Sequence, residues 1–179
     1  MKTVLYYFIF FFWFIASLLP LRFLYIFSDL LYLPLYYCVR YRRKIVRKNL
    51  IESFPEKELS EIIRIEKAFY HHFCDYMVET IKLFSMSEKQ MRRRMTFGGV
   101  EKINEIIKDR DCVVYLGHYC NWEWIASLPY WVPEDILCGQ IYHPLYNKAF
   151  DRLFLRLRNQ FGGECISMKE TLRRIIELK

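Results

Sequence analysis

Between Thr3 and Leu21 the chain carries no charged residue. The run Val4 to Ile15 is almost unbroken hydrocarbon and aromatic ring, and the stretch approaches the ~20 residues that a helix needs to span a bilayer. This pattern predicts a transmembrane helix. A cleaved signal peptide would have a stronger basic start than Lys2 alone, a shorter apolar region and a small-residue cleavage site, so the segment reads as an uncleaved anchor. A second apolar run, Phe23 to Val39, is interrupted by Asp29 and Pro34 and predicts a hairpin partner or a helix lying in the interface. Between Pro55 and Phe84, Leu59, Ile62, Ile63, Phe69, Phe73, Met77, Ile81 and Phe84 recur at helical spacing among charged residues, which predicts a long amphipathic helix. Ser87 and Glu88 open a short helix bearing Arg92, Arg93 and Arg94, three neighbours that point around a helix and so mark a solvated surface. Gly98-Gly99 ends it.

From Val100 onward the period alternates. Val100 to Lys108 predicts a helix, and the β-branched apolar run Cys112 to Leu116 a buried strand ending at Gly117. Trp122 to Tyr130 reads as helix, Ile136 to Tyr142 as strand and Asn147 to Phe161 as helix. After Gly162-Gly163 come a short strand, Glu164 to Ile166, and a helix from about Met168. Alternation of this kind predicts an α/β fold: an N-terminal transmembrane helix, then amphipathic helices, then an incomplete, mainly parallel sheet with flanking helices. Residues 1–39 form the membrane anchor and interfacial segment, and 40–179 the globular domain. Ile175 to Lys179 stop inside an amphipathic pattern, and three strands leave an open sheet edge, so the chain reads as the front portion of a larger domain.

Charge and composition sharpen this picture. The formal net charge is +7, and aromatic residues make up 18% of the chain, a composition suited to a lipid boundary and anionic partners. Arg40, Arg42, Arg43, Lys44, Arg47 and Lys48 follow the apolar segment, whereas Lys2 alone precedes it. That asymmetry places the C-terminal side in the cytoplasm and the basic cluster against an anionic membrane surface. Nucleic acid is excluded as partner, because the charge is concentrated beside the anchor and no binding motif accompanies it. The six cysteines stand singly without a C-x-x-C pair and read as reduced apolar residues, and His71, His72 and Glu79 make no metal site because adjacent helical histidines diverge by about 100°. Neither metal nor cofactor is expected.

The chemistry concentrates in Gly117-His118-Tyr119-Cys120-Asn121-Trp122-Glu123-Trp124. His118 and Glu123 fall in the turn from a strand into the next helix, where open α/β sheets place reacting groups. The spacing lets an imidazole and a carboxylate face each other, the carboxylate fixing the tautomer and balancing the imidazolium once it takes a proton. Backbone N–H groups near Trp122 could meet a developing oxyanion.

This block resembles the first motif of the lysophospholipid acyltransferase superfamily, and its Gly-His-x-x-Asn-Trp-Glu form is similar to the lipid A late-acyltransferase branch. Arg43, Lys44, Arg47 and Lys48 with Asn49-Leu50 and Phe54-Pro55-Glu56 resemble the region after that branch's anchor. Tyr142-His143-Pro144-Leu145-Tyr146-Asn147, Arg158 and Phe161-Gly162-Gly163 resemble its later blocks. The resemblance implies transfer of a fatty acyl group from acyl carrier protein to a hydroxyl of a membrane saccharolipid, at the cytoplasmic face of the inner membrane, without a covalent enzyme intermediate. It implies that His118 removes the acceptor proton, that Glu123 orients and balances it, and that Asn121, Trp122 and Arg158 bind substrate. The family's further acidic block and later strands are not found in this sequence. Two other readings follow: an acyltransferase acting on another glycolipid, a phospholipid or an aminolipid, or a catalytically silent membrane-bound fragment.

Overall fold

A computed structural model describes residues 2–178 of the chain. The chain divides into two compact units, residues 18–82 and residues 1–17 with 83–179.

The unit of residues 18–82 is helical. Pro20 stands at the N-cap of α2 (Leu21–Leu33), which continues through a wider π-type turn over Pro34–Val39. Arg40 and Arg42 both take left-handed backbone angles (φ 53° and 51°), and the chain reverses there into α3 (Arg43–Ser53). The last helix, α4 (Leu59–Lys82), buries Ile62, Glu66, Tyr70, Cys74 and Val78, one residue per turn along the face it gives to α2. The expected long amphipathic helix is therefore present, and it gives way to a 3₁₀ turn at Leu83.

Side-chain pairs show that α2 and α4 run antiparallel. Tyr25 donates to Glu79 at 2.8 Å, Ser28 to Asp75 at 2.6 Å and Tyr36 to Glu66 at 2.8 Å, while the Tyr32 ring stacks on His71 at 3.6 Å. Tyr32, Tyr36, Tyr70 and Cys74 form the core, covered by Leu31, Leu35 and Val46. Glu66 lies inside this apolar packing, fully buried, and accepts two hydrogen bonds from Arg47 at 2.7 and 2.9 Å besides the one from Tyr36. A buried carboxylate with three donors retains its charge because the lost water is replaced. The other face of α2 exposes Phe23, Ile26, Phe27, Leu30 and Leu33.

The second unit begins with α1 (Lys2–Leu18), apolar all round yet two-faced in its packing. Tyr6, Phe10, Trp13 and Ser17, at spacings of four, three and four, turn inward, whereas Val4, Phe8, Phe11, Phe12 and Ile15 are exposed. Among the described residues no single helix is long and apolar enough to cross a membrane; Val4–Leu18 and Leu21–Val39 reach that length and composition only as a pair, with a break at residues 19–20.

After a turn of 3₁₀ helix at Leu83–Ser85, the helix expected to open at Ser87 is present as α5 (Glu88–Arg92), and its start is a capping box in which Ser87 and Gln90 satisfy each other's backbone N–H groups. α6 (Val100–Ile106) follows Gly99, whose φ of 79° suits glycine. Trp122–Trp131 is a 3₁₀ helix rather than the expected α-helix, with Pro129 inside it, which lacks the N–H that an α-helical bond would need. Then come β1 (Gly139–Tyr142), α7 (Lys148–Asn159), β2 (Glu164–Ser167) and α8 (Thr171–Glu177). β1 and β2 pair in parallel, Gly139 opposite Glu164 and Tyr142 opposite Ser167, so β1-α7-β2 is one βαβ crossover. Gly162 takes φ 91° at the turn between α7 and β2, and a Cβ on Gly163 would lie 3.1 Å from the Cys138 carbonyl oxygen. The glycine pair thus lets β2 enter alongside β1.

The strand expected over Cys112–Leu116 does not form. The segment 111–119 has no regular structure, and Val113 and Tyr115 are 74% and 93% exposed. A strand exists only where a neighbour takes up its N–H and C=O groups, and in the described residues β1 and β2 serve only each other. The sheet is two-stranded, so the fold is helix-rich with a small parallel sheet, not a broad α/β sheet.

Candidate active site

The Gly117–Trp124 block straddles a sharp change in burial. Residues 111–120 are exposed throughout, Asn121 and Trp122 are half-buried, and Glu123 is 4% exposed. Cys120 takes a left-handed φ of 50°, a conformation that few residues with a side chain adopt, and it turns the chain into the 3₁₀ helix. His118 is therefore on an open loop and Glu123 inside the packed unit. The His118 ring meets the edge of Trp122 at 4.8 Å between centroids. Among the described residues there is no hydrogen bond or ion pair between His118 and Glu123.

Glu123 has a different partner. Arg158 donates to it from Nε at 2.8 Å and from Nη2 at 2.7 Å, a two-pronged pair across 35 residues of sequence. The planar guanidinium matches the carboxylate, so this geometry fixes the orientation of both groups as well as neutralising them. Position follows from α7. Asn147 caps its start, accepting from Ala149 N–H at 2.9 Å, and Asp151 ties the preceding turn by accepting from Leu145 N–H at 2.7 Å. Ala149, Leu153 and Leu157 bury one stripe of the helix, and Arg158 stands at the edge of that stripe with a side chain 23% exposed.

Aromatic rings back this pair. The Phe154 ring lies 5.4 Å beneath the Arg158 guanidinium, and Trp13 of α1 packs edge-on against Phe154 and Phe150 at 6.4 and 5.8 Å. Arg152 and Arg156, further along the same helix, stand over Tyr6 and Phe10 at 4.2 and 4.4 Å. The Cys165 thiol, on β2, is pushed up chiefly by burial; the Arg158 charge works against this and the Glu123 charge with it.

Of the five residues singled out in the sequence, the structure brings Glu123 to Arg158 and His118 to Trp122, with Asn121 at the N-cap of the 3₁₀ helix. Sequence reasoning gave Arg158 a contact with substrate and did not foresee its bond to Glu123. It also missed Trp13 and Phe154, which looked like membrane and core residues. The available signal was faint: one arginine in the last turn of a crossover helix, beside an otherwise regular apolar stripe.

The Glu123–Arg158 pair joins the His118 motif to the Arg158 block, two widely separated stretches that the sequence had connected only by resemblance. No curated protein and no solved structure matches the chain. A family model described as bacterial lipid A biosynthesis acyltransferase matches residues 1–178, taking in α1, the basic cluster and both halves of that pair. The chain belongs to the bacterial lipid A biosynthesis acyltransferase family, and it is an acyltransferase with a lipid-type acceptor.

Proposed function

We propose that this enzyme transfers a fatty acyl group from acyl carrier protein to a hydroxyl of a lipid A precursor, at the cytoplasmic face of the inner membrane. The observation that carries the reading is an exposed histidine five residues before a buried carboxylate that is itself held by a bidentate arginine. His118, open to solvent, is accessible to an acceptor hydroxyl. Its neutral ring nitrogen takes the hydroxyl proton as the oxygen attacks the thioester carbonyl. The tetrahedral oxyanion collapses, the C–S bond breaks, and the imidazolium returns its proton to the departing thiolate.

Glu123 balances the imidazolium in this scheme. Contact between the two requires the irregular segment 111–119 to carry His118 inward when substrate binds, and catalytic hydrogen bonds are commonly looser before substrate arrives. Arg158 holds the carboxylate aimed until then. Asn121 and Trp122 lie in the chain between the two groups. The exposed apolar faces of α1 and α2 suit contact with acyl chains, and Arg40 to Lys48 suit the anionic cytoplasmic leaflet.

The test is acyl transfer by the membrane-embedded chain, with acyl carrier protein thioester as donor. His118→Ala is expected to lower the rate by roughly 10²–10⁴-fold, the usual worth of a general base. Wild-type turnover in that variant would overturn the assignment.

A further inference from the structure

One face of α3 carries Arg43, Lys44, Arg47, Lys48, Ile51 and Glu52 along an open cleft of about 490 Å³. The catalytic scheme uses none of these residues. Four cations face two carboxylates there, Glu52 in the wall and the buried Glu66 behind it, so two positive charges remain uncompensated. The cations are not equivalent. Arg47 is fixed by its two hydrogen bonds to Glu66, and Arg43 lies 3.8 Å from the same carboxylate with its guanidinium over the Tyr36 ring at 5.0 Å. Lys48 reaches Glu52 only at 3.7 Å, both side chains largely exposed, and Lys44 has no ion pair among the described residues.

The arrangement therefore has two arginines held against the Glu66 carboxylate and two exposed lysines beside them. Its cost is visible in the helix itself. Arg43 and Lys44 occupy the first turn of α3, where no acidic residue stands and where the helix dipole disfavours cations. An anion in the cleft relieves that repulsion.

We propose that this cleft is a binding site for a dianionic phosphate group, of the kind that ends a phosphomonoester lipid headgroup. The charge agrees: a phosphomonoester carries about −1.5 to −2 near neutral pH, equal to the two uncompensated cations. The size agrees as well, since the volume falls in the range of small-molecule sites and leaves room for the group that bears the phosphate. The inference deepens the proposal of a chain working on membrane lipids and rests on that reading. Its content is a discrete, stoichiometric site rather than a diffuse charge attraction.

Flotation of the full-length chain in detergent-depleted mixtures with phosphatidylcholine vesicles tests it, comparing phosphatidate with phosphatidylglycerol at matched surface charge. Phosphatidate vesicles are expected to bind more tightly, and Lys44→Gln with Lys48→Gln to weaken that binding roughly 30-fold, about a factor of five per lysine. These lysines are outside the Glu66 cluster, so the variant keeps its fold, and unchanged circular dichroism checks this. Equal retention on both vesicle types, or equal loss on both in the variant, overturns the site in favour of simple surface attraction. Titration of the solubilised chain with inorganic phosphate at constant ionic strength assigns the source: saturable, lysine-dependent binding marks a site for free phosphate, and none marks a site that needs the lipid. His118→Ala should leave every one of these binding results unchanged, so failure of the catalytic reading is separable from failure of this one.

Discussion

Glu123 exchanges its water for a single guanidinium, and the balance of that exchange depends on both N–H donors of Arg158. Removing one member of a buried pair leaves the other charge without compensation, which commonly costs about 3 kcal/mol or more. Arg158→Ala is therefore expected to lower the thermal midpoint by roughly 6–12 °C for a chain of this size. It should reduce acyl transfer as well, because Glu123 loses its aim. Arg158→Lys separates the two effects. A lysine restores the charge from one point and cannot form the fork, so stability should recover in large part while turnover stays well below wild type. Scanning calorimetry and the transfer assay on the two variants check this; equal turnover in Arg158→Lys and wild type would show that orientation of Glu123 is immaterial.

At the scale of elements, the pairing of α3 and α4 carries a pH dependence. Burial alone would raise the Glu66 carboxyl, but the hydrogen bonds from Arg47 and Tyr36 and the charges of Arg47 and Arg43 outweigh it and leave the group below its ordinary value. A carboxyl lowered in the folded state contributes stability that is fully present above the unfolded value, about 4.5, and is lost as pH falls through the folded one. Glu61 and Glu164 are lowered too, so the wild-type curve alone does not isolate Glu66. The difference between wild type and Glu66→Gln does. That difference should be largest at neutral pH and shrink below about pH 4.5, measured by circular dichroism melts in detergent.

What the sequence told about these elements follows the reach of the interactions that make them. The Ser87 cap, the Asn147 cap of α7, the stripe on α4 and the Gly162-Gly163 turn are set by neighbours within one or two turns, and each was legible. Cys112–Leu116 has strand composition but needs a partner that composition cannot name, and it stays unpaired. Pro129 was in plain view, yet helical periodicity alone does not separate a 3₁₀ helix from an α-helix over Trp122–Trp131. In the candidate site, His118 and Glu123 were named from a local motif. The bond from Glu123 to Arg158 spans 35 residues and left no periodic trace.

For the molecule as a whole, α1 has two faces that its uniform apolarity conceals. Its outer face, Val4, Phe8, Phe11, Phe12 and Ile15, is an exposed apolar stripe suited to lipid, and its inner face, Tyr6, Phe10 and Trp13, packs on Arg152, Arg156, Phe150 and Phe154 of α7. Phe154 in turn lies under Arg158. Deletion of residues 1–21 is thus expected to lower both membrane retention and turnover, the second through loosening of α7 and not through loss of the membrane alone. Trp13→Ala distinguishes these consequences. It removes the ring that braces Phe154 and leaves the outer stripe intact, so the membrane fraction should match wild type while turnover falls, with a stability loss of about 3 kcal/mol or less because Trp13 is only half-buried. Fractionation and transfer assays on the same membranes measure both. Wild-type turnover in Trp13→Ala, with retention unchanged, would reduce α1 to an anchor and break the chain of contacts from Trp13 through Phe154 and Arg158 to Glu123.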